Sequence, residues 1–227
     1  WEPGGTGPAH YFQTLGLGVW LEQRGVPCIH ANTLAAGEVG IGLIAPSGTG
    51  KTTLSAALLE FGLQLMTDDM LALHHVAGEW QVYPGWPQVR MWPDSAMRYA
   101  GKSLEALQKV HDRFEKRVVD VKSNDSRVFC AQSRPLKQLY LLERRESGTG
   151  GVRIEDIPPG EALIQLLQNS MLGDAYQALG IEAVRLKTLA GMLNQVPVKR
   201  ISYPSGLEHL AGVCEQIGEG VVGLRLM

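Results

Sequence analysis

One stretch constrains this chain more than any other. Val39–Ala45 (VGIGLIA) is an apolar run without a charge, and it reads as a buried strand. Pro46–Gly50 (PSGTG) interrupts it with a glycine-rich turn. Thr52–Phe61 then reads as a helix with Leu54, Ala57 and Leu58 on one face and Gly62 at its C-terminal end. A strand that passes through a glycine turn into a helix is a unit of α/β architecture, and it sets the frame for the rest of the chain.

The chemistry of that turn is specific. Ala45–Thr52 (APSGTGKT) fits the GxxxxGK[ST] phosphate loop (the Walker A pattern) except that Ala45 stands at the first glycine position. Gly48 and Gly50 free the backbone to wrap its N–H groups around phosphate oxygens, and the helix that follows offers its positive N-terminus. Lys51 supplies a cation for the β- and γ-phosphates and Thr52 a hydroxyl for a metal. Ser47, Gly48, Thr49, Gly50, Lys51, Thr52 and Thr53 form the expected nucleotide-binding set. A chance match in a turn is the bland alternative, and the flanking strand and capped helix weigh against it.

Leu63–Met66 reads as the next strand, and it runs into Thr67-Asp68-Asp69. The C-terminal ends of strands in an α/β sheet line the ligand crevice, so both carboxylates are expected there. One carboxylate can hold a metal while the other accepts a proton. Taken alone, such a pair is more often a turn or a helix cap. Beside a phosphate loop the functional reading is preferred.

The other elements fill out a mixed pattern. Residues 1–10 read as tail or loop, Tyr11–Gln23 as a helix and Val26–Ala36 as a strand. Leu71–Val76 and Trp80–Tyr83 read as a hairpin, and Tyr83–Asp94 as a proline- and tryptophan-rich loop. In that loop Trp86 and Arg90 are candidate substrate contacts, and a rigid structural loop is the equal alternative. Short helices are expected over Asp94–Tyr99 and Leu104–Val110, and strands over Arg117–Val121, Lys137–Leu142, Val152–Ile154 and Val198–Tyr203. Helices are expected from Pro159 to about Leu172, over most of Asp174–Gln195, and over Leu207–Ile217. Glu143–Gly151 reads as a polar loop. Lys116-Arg117 could contact phosphate, with a solvated charge pair the preferred reading, and His74-His75 lack a third ligand at zinc spacing. No internal boundary or repeat stands out, so 1–227 reads as one domain, with an upstream piece before Trp1 left open.

Composition excludes several classes. The net charge is −2 and the basic and acidic residues balance, which argues against a nucleic-acid or membrane-surface partner. Cys28, Cys130 and Cys214 lie far apart, which points to a reducing compartment and a cytoplasmic expectation. No apolar run reaches the ~20 residues a membrane span needs.

The order His30, strand, Ala45–Thr52, helix, Gly62, strand, Asp68-Asp69 resembles the catalytic domain of HPr kinase/phosphorylase and its relatives. His30 stands fifteen positions before Ala45 and Asp68 seventeen after Lys51, which matches that pattern. Ser47–Ser55 (SGTGKTTLS) is also similar to the nucleotide site of ATP-dependent phosphoenolpyruvate carboxykinase. Tyr83–Asp94 and Pro197–Pro204 resemble HPr-kinase-related proteins that accompany the making of ribosomal peptides, lasso peptides among them, and phosphorylate a precursor serine.

The resemblance implies an α/β P-loop kinase core of the HPr kinase/phosphoenolpyruvate carboxykinase type, with a mixed central sheet flanked by helices. It implies ATP and Mg²⁺, Lys51 on the β- and γ-phosphates, Thr52 on the metal and Asp68 as the general base. Asp69 and His30 would shape the metal and γ-phosphate site, and homo-oligomers are implied as well. The family's downstream Glu-x-Arg-Gly signature is missing, which weighs against a second metal-side carboxylate, a phosphorylase activity and HPr itself as acceptor. The expected function is transfer of the γ-phosphoryl group to a serine of a peptide or small protein. The alternatives are an HPr(Ser) kinase proper, a small-molecule hydroxyl kinase, a carboxykinase and a nucleotide-binding regulator.

Overall fold

In a computed structural model, which describes residues 7–100, 103–111, 115–121, 128–146 and 150–222, the motif-bearing strands converge at one end of a mixed sheet. The chain enters through α1 (Gly7–Tyr11), a π-helical turn (Phe12–Gly16) and α2 (Leu17–Glu22). Part of the expected tail, Gly7–His10, is therefore helical, and residues 1–6 lie outside the described residues.

Next come β1 (Cys28–Ile29), β2 (Ala31–Ala36), β3 (Val39–Ile44), α3 (Lys51–Glu60) and β4 (Gln64–Thr67). The strand expected over Val26–Ala36 is broken at His30. β1 pairs instead with β5 (Leu71–Ala72), and the break turns His30 out of the ladder. β6 (His74–Val76) and β7 (Glu79–Val82) form the expected hairpin. β8 (Gln88–Met91), α4 (Pro93–Ala100) and β9 (Arg117–Asp120) follow. The remainder is β10 (Arg134–Arg145), β11 (Arg153–Asp156), α5 (Pro159–Gln168), α6 (Ala175–Leu179), α7 (Glu182–Met192), β12 (Val198–Pro204) and α8 (Leu210–Val222).

The main sheet runs β11-β12-β10-β3-β2-β4, and the β6–β7 hairpin joins it through β10. β3, β10 and β12 are parallel to one another, and β2 is antiparallel to both β3 and β4. The C-terminal ends of β3, β4, β10 and β12 and the start of β2 therefore share one end of the sheet. That end collects the phosphate loop, the aspartate pair, Arg144, Tyr203 and His30.

Period-two alternation distributes the core. Ile41 and Leu43 pack with Leu54 and Leu58 of α3 and Val213 and Ile217 of α8. Ile44 and Leu139 face the other side, toward Leu166 of α5 and Leu189 and Met192 of α7. A third cluster holds the β8–β9 ribbon against α3 through Val89, Met91, Ala96, Val121 and Ala56.

Three further expectations are corrected. Tyr83–Asp94 contains a strand, β8, because Val89 and Met91 are buried against α3 while Pro87 and Pro93 bound it. Leu104–Val110 forms only a short 3-10 turn (Leu104–Ala106), since its backbone pairs with the start of β9 through Val110 N–H to Lys116 O (3.1 Å) and Val118 N–H to Gln108 O (2.8 Å). Asp174–Gln195 is mostly helical as expected, in two helices, α6 and α7, divided at Gly180 (φ 68°). β10 continues to Arg145 because it pairs along β12 to Pro204, so the polar loop starts later than Glu143. No helix among the described residues is long and apolar enough to cross a membrane.

Candidate functional site

The loop is built as its residue types require. Gly48 (φ 84°) and Gly50 (φ 104°) both adopt left-handed backbone, which only glycine enters at no steric cost. α3 begins at Lys51, immediately after Gly50. Lys51 is buried, and its Nζ donates to the carbonyl of Ala45 at 2.6 Å across the loop. Burial lowers the ammonium to about 8, with Asp69 and Asp68 opposing the shift. An anion in the loop would restore the charge that burial disfavours.

A cavity of about 170 Å³ opens over the loop. His30, Ser47, Gly48, Gly50, Lys51, Thr52, Thr53 and Asp69 line it, so most of the sequence-derived set meets in one place. Thr49 lies in an adjoining cavity of about 270 Å³ with Asp94, Tyr203, Leu207 and Leu210. Gly50, Thr53, Ser95 and Arg144 border both.

The aspartate pair divides between two sides. Asp69 sits at φ 67°, a left-handed conformation that Asp tolerates better than most residues. Asn32 Oδ1 accepts its N–H at 3.3 Å, and Asn32 Nδ2 donates to Ser55 Oγ at 2.9 Å, which fastens the turn to β2 and α3. The Asp69 carboxylate accepts from Arg90 Nη1 at 3.1 Å. Burial opposes its ionisation, but Lys116, His30 and Arg90 outweigh burial and hold its pKa below the usual range.

Asp68 lines a different cavity, of about 190 Å³, with Gln13, Thr14, Trp86, Tyr83 and Arg90. Its Oδ2 accepts the backbone N–H of Arg90 at 2.7 Å, while Oδ1 is buried with no partner. Burial, then the Asp69 charge, raises its pKa well above the carboxylate range. Arg90 ties the two cavities together, because its Nη2 also donates to Gln13 Oε1 at 3.2 Å. Trp86 lies on the Asp68 side, away from the phosphate loop.

Sequence reasoning missed Asn32, Ser55, Ser95, Arg144 and Tyr203, and it ranked a phosphate contact by Lys116 below a solvated charge. Asn32 carried a signal, a carboxamide beside Thr33 in a strand whose other residues are apolar. Lys116 was read as solvated, yet it lines the phosphate cavity. Arg144 and Tyr203 carried none, since only the register of β10 on β12 places them opposite each other.

No family model matches this chain, and no curated protein does. Among solved structures, the HPr(Ser) kinase/phosphatase from Coxiella burnetii is similar at 16% identity and a TM-score of 0.46, over 87% of this chain and 90% of that chain.

Proposed function

We propose that this chain is an ATP-dependent phosphotransferase that moves the γ-phosphoryl group to a hydroxyl, carried by a serine of a peptide or small protein. The observation that carries this reading is the placement of Asp68. Asp68, whose buried Oδ1 has no partner, lines the second cavity, and the next residue, Asp69, lines the cavity over the loop.

The loop cavity, with Lys51 and Arg144, suits the phosphates of a nucleotide, and the adjoining cavity with Leu207, Leu210 and Tyr203 suits an apolar base. Asp69 and Thr52 offer the hard oxygen donors that Mg²⁺ takes, and the ionised state of Asp69 fits that role. Among the described residues no group of three His, Cys, Asp or Glu could hold a metal alone, which suits an ion that enters with the nucleotide. When bound, Mg²⁺ supplies charge neutralisation at the β- and γ-oxygens.

The acceptor hydroxyl enters from the Asp68 side. It hydrogen-bonds to Oδ1, its oxygen attacks the γ-phosphorus, and its proton passes to Asp68 as the bond to the β-phosphate oxygen breaks. A base works best with its pKa near the operating pH, and the upward shift of Asp68 moves it in that direction. Alignment and charge neutralisation do most of the remaining work of phosphoryl transfer.

The test is incubation with γ-labelled ATP, Mg²⁺ and a panel of serine-containing peptides. Label on a peptide hydroxyl is expected. ATP hydrolysis with no transfer to any hydroxyl overturns the reading in favour of a nucleotide-binding regulator.

A further inference from the structure

Lys116 precedes β9, and β9 pairs with β8 in the register Arg90↔Val118 and Met91↔Arg117. Alternation on this ribbon puts Val89, Met91 and Val121 into the core against α3. Arg90, Val118 and Lys116 fall on the opposite face. Arg90 uses that face to grip Asp69, and Lys116 reaches the phosphate cavity beside it. The Lys116 ammonium lies 5.8 Å from the centre of the Trp92 ring, which also borders the cavity. Its neighbour Arg117 turns away and pairs with Glu115.

Three cations thus flank the loop at different points. Arg144 stands at the Gly50 and Tyr203 end, where the cavity joins the apolar one. Lys51 is folded back onto Ala45. Lys116 stands at the Asp69 end, where its charge is the largest of those lowering the Asp69 pKa.

We propose that Lys116 is a catalytic residue whose ammonium donates to the equatorial oxygens of the phosphoryl group in flight. This rests on the phosphotransferase reading above. Charge spreads over those oxygens in a loose transition state, so a cation at the acceptor end acts on the transfer step more than on nucleotide binding. The ammonium keeps its protons throughout. The phosphorus–oxygen bond to the β-phosphate breaks and the bond to the acceptor oxygen forms, as in the uncatalysed transfer.

The test compares wild type with Lys116→Met, which keeps an unbranched side chain without the charge, and with Lys116→Arg, which keeps the charge. Two readouts are needed: steady-state transfer, and the affinity for ADP with and without aluminium fluoride and Mg²⁺. Lys116→Met is expected to lower kcat about a hundredfold with KM for ATP within about threefold, the scale of a lost charge donor. Its ADP affinity should match wild type while the tightening by aluminium fluoride disappears, and Lys116→Arg should recover part of both. Retention of kcat and of the tightening by Lys116→Met overturns the proposal alone. So does a loss of plain ADP affinity equal to the loss of kcat. A wild-type protein that neither transfers phosphate nor tightens on ADP with aluminium fluoride overturns the phosphotransferase reading itself, and the proposal with it.

Discussion

His30 Nδ1 lies 3.0 Å from the backbone carbonyl of Asp69, and both residues line the cavity over the loop. A carbonyl only accepts, so Nδ1 carries a proton, and whenever the ring is neutral Nε2 is its unprotonated nitrogen. Burial, then the Lys51 charge, lowers the His30 pKa and favours that neutral form. The bond pins the residue whose backbone sits at φ 67°, and pinned strain of this kind depends on its surroundings.

His30→Phe is therefore expected to release the Asp69 turn. One lost hydrogen bond costs about 1 kcal/mol of stability, a small change for a chain of this size. Transfer should fall more, by about tenfold, because a displaced Asp69 misplaces the groups around the γ-phosphate. Thermal melting alongside transfer kinetics checks this. Equal activity in wild type and variant removes His30 from the positioning role.

Lys51 predicts a pH dependence of nucleotide binding. Burial lowers its ammonium to about 8, and only the charged form attracts phosphate. Affinity for ATP should hold below pH 7 and fall as pH rises through 8, by about tenfold between pH 7 and 9 for a single group of that pKa. Lys51→Arg, charged throughout, should abolish the pH dependence even where it weakens binding. Titration of a fluorescent ATP analogue across this range gives the answer, and a flat profile for wild type contradicts the assignment.

For Asp68 the prediction separates binding from chemistry. Asp68→Asn keeps an oxygen for the Arg90 N–H and removes the base. Nucleotide affinity should stay within about twofold while transfer drops about a hundredfold or more, the usual scale of general-base loss. Because the Asp68 pKa is raised, wild-type turnover should climb with pH well above the range of an ordinary carboxylate. Isothermal titration with ATP and a pH–rate profile test both parts, and near-normal transfer by the variant excludes Asp68 as the base.

The loop and the aspartates were legible because each is a contiguous string whose chemistry depends on neighbours in sequence. What stayed hidden is assembled by register. Arg144 meets Tyr203 through the parallel pairing of β10 and β12. Lys116 faces inward only because β9 pairs with β8, a strand concealed between two prolines and read as loop. The break at His30 was likewise invisible, since Val26–Ala36 has continuous strand character and only the pairing of β1 with β5 divides it. The same holds for the group that fixes the N-terminal helix, where partners lie far apart in the chain.

That group gives a prediction about folding. The Glu22 carboxylate is buried and accepts from Arg185 Nε at 3.0 Å, Tyr176 OH at 3.1 Å and the Cys28 N–H at 2.7 Å. The Arg185 guanidinium also stacks on Tyr176 at 4.3 Å and donates to the Cys28 carbonyl at 3.3 Å. These contacts bind α2 to α6 and α7, and α2 in turn supplies Leu17 and Leu21 to the cavity that holds Asp68. Arg185→Met strands a buried carboxylate and should cost about 3–5 kcal/mol. The double variant Glu22→Gln with Arg185→Met removes both charges and should recover a substantial part of that loss, since an uncharged pair carries a smaller desolvation penalty. Urea denaturation of the three proteins measures this. If the double variant is less stable than Arg185→Met alone, the unpaired Glu22 charge is not the source of the loss.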